Sequence, residues 1–297
     1  MTNLVLGTAQ LGFKYGINNA IGKPSLQQAY EILDTAYDNG IRILDTALVY
    51  GDSEKIIGTY MKEKGKTFEI CTKTPKLYEN QNSLEIIEEN INKSLDNLNV
   101  SNIDFYLFHN FSDLVRLYKE DKEYLKGLKN EGIIKKIGVS IYDTEELEYI
   151  VKNIYDLVDV VQIPFNIFDL RWIQTDLLDK TKNKGIEVAA RSAFLQGVLF
   201  MNGKEAKKIH PLLEGYLTTL KYFSDNRNMT IGETALTFIK SQNNIDYILV
   251  GCESKEQIIT NVNNFKANKI FNKTDLRIIN DNFLKIENQI IDPRKWS

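Results

Sequence analysis

The 297-residue chain is 43% hydrophobic and 26% charged, an ordinary balance for a protein that closes a core and unlike disordered or fibrous chains. Its 37 Lys and Arg against 40 Asp and Glu leave a formal net charge of −3, so no basic excess supports phosphate-backbone binding and no nucleic-acid partner is expected. At roughly 150 residues per domain the length allows two domains, yet α/β barrels of about 200 to 250 residues form one.

Met1 to Ala9 carry neither a cationic start nor a long apolar run, and no later stretch reaches the roughly 18 apolar residues of a spanning helix. No membrane partner is expected, and the expected compartment is the cytoplasm. Cys71 and Cys252 are too few for a disulfide framework and lack metal-ligand spacing. Both thiols are expected free, with no metal bound.

Taken in chain order, the first predicted strand is Leu4 to Thr8. A helix follows, opened by the capping-box pair Ser25 and Gln28, carrying the apolar set Leu26, Ala29, Tyr30, Leu33, Ala36 and Tyr37, and closed by Gly40. Strands then fall at Arg42 to Asp45 and Glu69 to Lys73, before a helix with Leu84, Ile87, Ile91, Leu95 and Leu98 on one face. Ile103 to His109 and Ile134 to Ser140 read as the next strands, and Asp143 with Glu146 opens a helix. Strands at Val158 to Ile163 and Ile186 to Ala190 come next. Thr230 with Glu233 opens a further helix before the last strand, Asp246 to Val250. Two closing helices are predicted over roughly Ser254 to Phe265 and Thr274 to Ile291.

Eight strands alternating with helices, uninterrupted by a Pro/Gly/Ser-rich linker or a charge block, predict the α/β class. The predicted architecture is a (β/α)8 TIM barrel, eight parallel strands with extra C-terminal helices, as one domain over 1–297. The rival is an open doubly wound sheet, against which Leu4 to Gln10 carries no GxGxxG turn into a helix.

In such a barrel chemistry gathers where the strands end. Asp45, Tyr50, Lys73 and His109 fall there. Each has a bland alternative: Asp45 caps a turn, Tyr50 packs a loop, Lys73 is a solvated strand end, His109 a packed core histidine. Together they form a coherent set. A phenol of ordinary pKa near 10 is a poor proton donor at neutral pH, and a neighbouring ammonium stabilises its anion. Lys73 can supply that charge. Burying Lys73 needs an opposite charge, the natural task of Asp45, while a neutral His109 can orient a carbonyl.

The chain resembles the aldo-keto reductase family over nearly its whole length. The resemblance is carried by Leu6-Gly7-Thr8-Ala9, by Gly40-Ile41-Arg42-Ile43-Leu44-Asp45-Thr46-Ala47-Leu48-Val49-Tyr50-Gly51 with Ser53-Glu54 and Ile57-Gly58, by Cys71-Thr72-Lys73, and by Asp104 to His109. It implies that Asp45, Tyr50, Lys73 and His109 are catalytic in an NAD(P)H-dependent reduction of an aldehyde or ketone, sugar-derived carbonyls among the candidates, with Tyr50 protonating the oxygen. The implied partner is a small-molecule carbonyl compound. The oligomeric state is not readable.

The same resemblance implies cofactor contacts at Gly7, Thr8, Ser140 and Gln162, with the last two on the nicotinamide carboxamide. Arg191, Ser192, Leu195, Gln196 and Gly197 match a pyrophosphate-wrapping segment, and Gly251, Ser254, Gln257 and Asn261 an adenosine site at a helix start. Three departures stand out. Ile141 replaces the usual Asn after Ser140, with Asn166 a possible substitute. Arg191 stands where many members stack an aromatic ring on the nicotinamide. Glu253 and Gln257 occupy places where NADP-specific members carry arginine, leaving Lys255 as the nearby cation. The family habit favours NADP(H), while the local charges leave NAD(H) possible. An apolar substrate slot is expected from Phe111, Phe165, Phe168 and Trp172, rimmed by Arg171 and the tail with Arg294 and Trp296, and His210 is expected in a surface loop. Two other readings compete: a cofactor-binding regulatory barrel with little turnover, and a non-redox sugar isomerase or lyase.

Overall fold

The computed structural model describes residues 2–17, 22–78, 82–267 and 269–296. The eight predicted strands form β1 Asn3–Gly7, β2 Ile43–Asp45, β3 Glu69–Thr74, β4 Ile103–Phe108, β5 Ile134–Ser140, β6 Val160–Pro164, β7 Glu187–Arg191 and β8 Tyr247–Gly251. Each pairs in parallel with its successor and β8 returns to β1, giving a closed barrel in sequence order. Parallel neighbours need crossovers. In chain order the helices are α1 Ala9–Gly12, α2 Leu26–Asp38, α3 Ser53–Lys64, α4 Ser83–Leu98, α5 Phe111–Asn130, α6 Thr144–Tyr149, α7 Leu177–Asn183, α8 Gly203–Ile209, α9 Leu213–Asp225, α10 Ile231–Lys240, α11 Lys255–Lys266, α12 Lys273–Phe283 and α13 Asn288–Ile291.

Local chemistry sets the helix ends. Ser25 and Gln28 form a reciprocal capping box on α2, and Gly40 takes the left-handed conformation that stops it (φ 93°). Asp143 with Glu146 does the same for α6, and the Thr230 hydroxyl accepts from the Glu233 N–H at the start of α10. Leu26, expected on the apolar face of α2, is instead exposed, because it occupies the first turn beyond the reach of the barrel. The long last helix expected over Thr274 to Ile291 is two. The chain turns after α12, so that Phe283 packs on Phe168 at 5.0 Å while Ile290 and Ile291 of α13 bury separately.

The strands divide their side chains between two cores with the period of two that a pleated strand imposes. Leu4, Leu6, Leu44, Ile70, Val161, Ala190 and Val250 face outward beneath the helices. Val5, Ile43, Cys71, Phe105, Leu107, Val160, Ala189 and Leu249 fill the barrel interior. Continuing the inward alternation one step toward the C-terminal rim gives Gly7, Asp45, Lys73, His109, Gln162, Arg191 and Gly251, and Ser140 lies two residues beyond inward-facing Gly138. The topmost interior layer, one residue at or just past the end of each strand, therefore carries six polar side chains beside Gly7 and Gly251, above an apolar plug.

Candidate active site

Lys73 is sealed in this layer, its side chain 1% exposed against 7% for Asp45. Its ammonium donates to Asp45 Oδ1 at 2.6 Å and to the Thr46 carbonyl at 2.8 Å. Burial is the largest single influence and depresses that ammonium, but Asp45 first, then Tyr50 and Cys71, together outweigh it and raise the Lys73 pKa. Gln162 donates from Nε2 to Asp45 Oδ2 at 2.8 Å and accepts at Oε1 from the Ser140 hydroxyl at 3.1 Å. Four strands thus contribute one chain of hydrogen bonds from Ser140 to Lys73.

Tyr50 stands over it. The Lys73 ammonium is 5.3 Å from the centre of its ring, and the His109 and Phe13 rings meet it edge-on at 6.0 Å. Burial pushes the Tyr50 phenol above its ordinary value, with Lys73 pulling it back. The expected stabilisation of the phenolate by the ammonium is outweighed by burial, and the phenol keeps its proton at neutral pH. Backbone contact seats this tyrosine. Gly12 lies so close that a Cβ on it would come within 1.6 Å of the Tyr50 carbonyl oxygen, and Gly51 is left-handed (φ 56°) where it presses on Gly12. Thr8 ties the base of the loop, donating from both its hydroxyl and its N–H to the Asp45 carbonyl.

His109 is held neutral. Burial first and then the Lys73 charge lower its pKa to about 4. Its Nδ1 lies 3.2 Å from the Thr74 carbonyl, which can only accept, so the proton resides on Nδ1 and Nε2 is an acceptor.

A cavity of about 520 Å3 opens above this layer, within the usual range for small-molecule sites. Of the residues expected to meet substrate or cofactor, Gly7, Thr8, Asp45, Tyr50, Gln162, Arg191, Ser192, Gln196, Gly197, Gly251, Gln257 and Asn261 line it. Lys73, His109 and Ser140 are not among its lining residues, the first and last buried and His109 half-buried against the Tyr50 ring, and Leu195 is buried in the outer core. Ser254 caps α11, accepting from the Gln257 N–H. Its hydroxyl is spent on the helix rather than on the cavity.

Several expectations about the surroundings fail. Asn166 is wholly buried, its Oδ1 accepting from the Phe168 N–H, so it does not stand in for the missing Asn at the cavity. Phe165, Phe168 and Trp172 are core side chains, and Phe111 packs on Tyr149. Arg171 is clamped by Asp169, and the tail's Trp296 donates to the Gln289 and Ile290 carbonyls. The aromatic lining comes instead from Tyr15, Phe194 and Phe200. Tyr15, in a loop, and Gln10, in the single turn of α1, show no periodic signal in sequence, so only the folded chain brings them in.

The cavity wall suits a dinucleotide. Ser192, Leu195, Gln196 and Gly197 all have positive φ (59°, 48°, 52° and 89°). For three non-glycine residues that conformation costs on the order of 1–3 kcal/mol each, strain that persists at ligand-gripping loops. The start of α11 lies at the other end of the lining, with Glu253, Glu256, Gln257 and Thr260. Lys255, the cation expected there, turns away to Glu31 at 3.4 Å.

The model of the Aldo/keto reductase family matches residues 3–281, and the chain belongs to that family. It is 32% identical over 175 residues to a glyoxal reductase of Bacillus subtilis, covering 59% of this chain and 61% of the relative. It is 26% identical over 296 residues to the NADH-specific methylglyoxal reductase of Escherichia coli, covering 88% and 89%. The first of these matches thus spans under two thirds of its relative. Among solved structures, the holo form of an aldo-keto reductase from Bacillus halodurans superposes with a TM-score of 0.74 at 20% identity, covering 98% of this chain and 95% of that one. That likeness carries the fold. Neither comparison assigns roles to individual side chains. Among the described residues no group of three or more metal-binding side chains gathers, and no helix is long and apolar enough to cross a membrane.

Proposed function

We propose that this protein reduces the carbonyl group of a small aldehyde or ketone, with a reduced nicotinamide dinucleotide as electron donor and Tyr50 as proton donor. The observation that carries this reading is the sealed Lys73–Asp45 pair at 2.6 Å with the Tyr50 ring 5.3 Å from the ammonium, at the floor of the cavity. When bound, the dinucleotide supplies the hydride. The chain supplies everything else.

Tyr50, kept protonated by burial, gives its proton to the substrate oxygen as charge develops there, and Lys73 stabilises the resulting tyrosinate. Asp45 holds Lys73 in place. With its proton on Nδ1, His109 accepts at Nε2, which suits a hydroxyl on the substrate or the alcohol product and fits a hydroxylated carbonyl such as a sugar derivative.

The chain's own residues fit a dinucleotide: Gln162 for the carboxamide, with Ser140 bonded to its amide oxygen, Ser192 to Gly197 for the pyrophosphate, Gly251, Gln257 and Asn261 for the adenosine. Between NAD(H) and NADP(H), the charges favour NAD(H). Glu253 and Glu256 line the adenosine end while Lys255 pairs with Glu31, so carboxylates can accept from ribose hydroxyls but would repel a 2′-phosphate. A relative named for NADH specificity is consistent with that choice.

The test is dinucleotide oxidation at 340 nm with a panel of aldehydes and ketones, beside Tyr50→Phe. The expected result is turnover that the substitution lowers by orders of magnitude while dinucleotide binding persists. Tight binding with no turnover above Tyr50→Phe would sink this reading in favour of a regulatory barrel. Activity without any nicotinamide would favour an isomerase or lyase.

A further inference from the structure

We infer that Arg191 is the seat of an anionic group on the substrate, so that the preferred carbonyl compounds carry a carboxylate or phosphate. The inference rests on the proposed reductase reading and specifies its substrate class.

Three arginines stand near the barrel rim, and their partners differ. Arg171 is held by both oxygens of Asp169, from Nε and Nη2 at 2.8 Å each. Arg294 is held in the same two-pronged way by Asp292, at 2.9 and 2.7 Å. Each is a neutralised structural pair. Arg191, which lines the cavity, has no carboxylate partner among the described residues. Of its five donors one is engaged, Nη2 to the Ile141 carbonyl at 3.2 Å. Its guanidinium lies on the Tyr142 ring at 4.2 Å, and Arg294 covers a ring-contact position on the same tyrosine at 3.6 Å. Arg191 is therefore fixed in direction yet uncompensated in charge.

A half-buried cation without a counter-ion is unfavourable unless something supplies one. The floor of the cavity cannot, since Asp45 is committed to Lys73 and Gln162. The planar fork of Arg191 matches a carboxylate or phosphate. Arg191 and Tyr50 line one cavity, and the Arg191 charge acts on both Tyr50 and His109 in addition to the larger effect of burial. An anion held there would belong to a molecule whose carbonyl reaches Tyr50. Arg191 is a residue that the family resemblance places among the dinucleotide contacts; the dinucleotide, through its pyrophosphate or its nicotinamide ring, is the competing occupant, and the affinity measurements separate the two.

Wild type, Arg191→Gln and Arg191→Lys are compared on succinic semialdehyde against butanal, and on glyceraldehyde 3-phosphate against glyceraldehyde, with dinucleotide dissociation constants measured by calorimetry. Wild type is expected to prefer one or both charged substrates by tenfold or more in kcat/KM. Arg191→Gln should cut that preference at least tenfold, through KM, and Arg191→Lys should restore part of it. Dinucleotide affinity should change less than threefold. No charge preference in wild type, an undiminished preference in Arg191→Gln, or a matching loss in dinucleotide affinity would overturn the inference, the last by giving Arg191 to the pyrophosphate. A second readout is independent of turnover. Succinate or inorganic phosphate should raise the melting temperature of wild type and not of Arg191→Gln. Equal shifts, or none in wild type, would also overturn it. Failure of the reductase reading is distinguishable, because it removes all carbonyl turnover and leaves the melting shifts in place.

Discussion

Gln162 and Asp45 are joined across the barrel, Nε2 to Oδ2 at 2.8 Å, while Lys73 takes the other carboxylate oxygen at 2.6 Å. Gln162 thus fixes the plane of the carboxylate that holds the ammonium. Because Ser140 donates to the far side of the same amide, anything that engages Gln162 from the cavity acts on that plane too. Gln162→Leu leaves Asp45 Oδ2 buried without its donor, a loss of about 1–3 kcal/mol. The expected outcome is a lower urea midpoint together with a displaced pH limb of kcat. A packing role alone would move the midpoint and leave the pH profile where it was.

Lys73→Met removes the cation and leaves Asp45 charged in a sealed layer. Breaking a buried pair from one side costs about 3–5 kcal/mol, so the variant should unfold at a much lower denaturant concentration. Adding Asp45→Asn should recover part of that loss. In the proposed mechanism kcat falls by orders of magnitude while dinucleotide binding stays within a few-fold. A rate equal to wild type in single-turnover measurements would remove Lys73 from the proton step.

His109 couples stability to acidity. Its pKa is lowered to about 4 in the folded protein, against an ordinary value of about 6.5 in the unfolded chain. Between those values the unfolded state binds the extra proton, so stability rises with pH through this window and is lost as pH falls from about 6.5 to 4. The full span amounts to up to about 3 kcal/mol at roughly 1.4 kcal/mol per unit. Denaturation midpoints at pH 7 and pH 5 should differ accordingly in wild type, and by clearly less in His109→Asn. An identical pH dependence in the two proteins would assign the effect to other groups.

Glu253 and Glu256 make the end of the cavity at the start of α11, the proposed adenosine end, acidic. Glu253→Arg should raise the affinity for NADPH relative to NADH by tenfold or more, read as the ratio of dissociation constants in a direct titration. An unchanged ratio would mean that the 2′ position lies elsewhere on the wall.

Gly12→Ala tests how Tyr50 is seated. A methyl group there would overlap the Tyr50 carbonyl oxygen, and since both partners are backbone, one loop must move. The expected result is a stability loss of about 1–3 kcal/mol with a fall in kcat, while dinucleotide affinity is retained. Unaltered kcat in a folded variant would show that the loop accommodates the methyl group without displacing Tyr50.

Much of the site was readable because strand periodicity and residue chemistry coincide. Asp45, Lys73, Gln162 and Arg191 each sit two residues beyond an apolar interior position, so the pattern that identifies the strand also points the polar residue inward. The capping pairs at Ser25 and Asp143 announce helix starts for equally local reasons. What escaped depends on distant partners. Tyr15 and Phe200 reach the cavity from loops whose paths no spacing reveals. Phe165, Phe168 and Trp172 looked like a substrate slot because they cluster in sequence, yet their rings are covered by residues from other parts of the chain, among them Phe238 and Phe283. The balance at Tyr50 was likewise out of reach, since burial outweighs the Lys73 charge only once the loop has closed over it.

Tyr142, touched by Arg191 and by Arg294, ties residues 292–296 to the cavity wall that Arg191 lines. Editing that stretch, by trimming it or by appending an affinity handle next to it, should therefore be felt as altered ligand selectivity well before it is felt as unfolding.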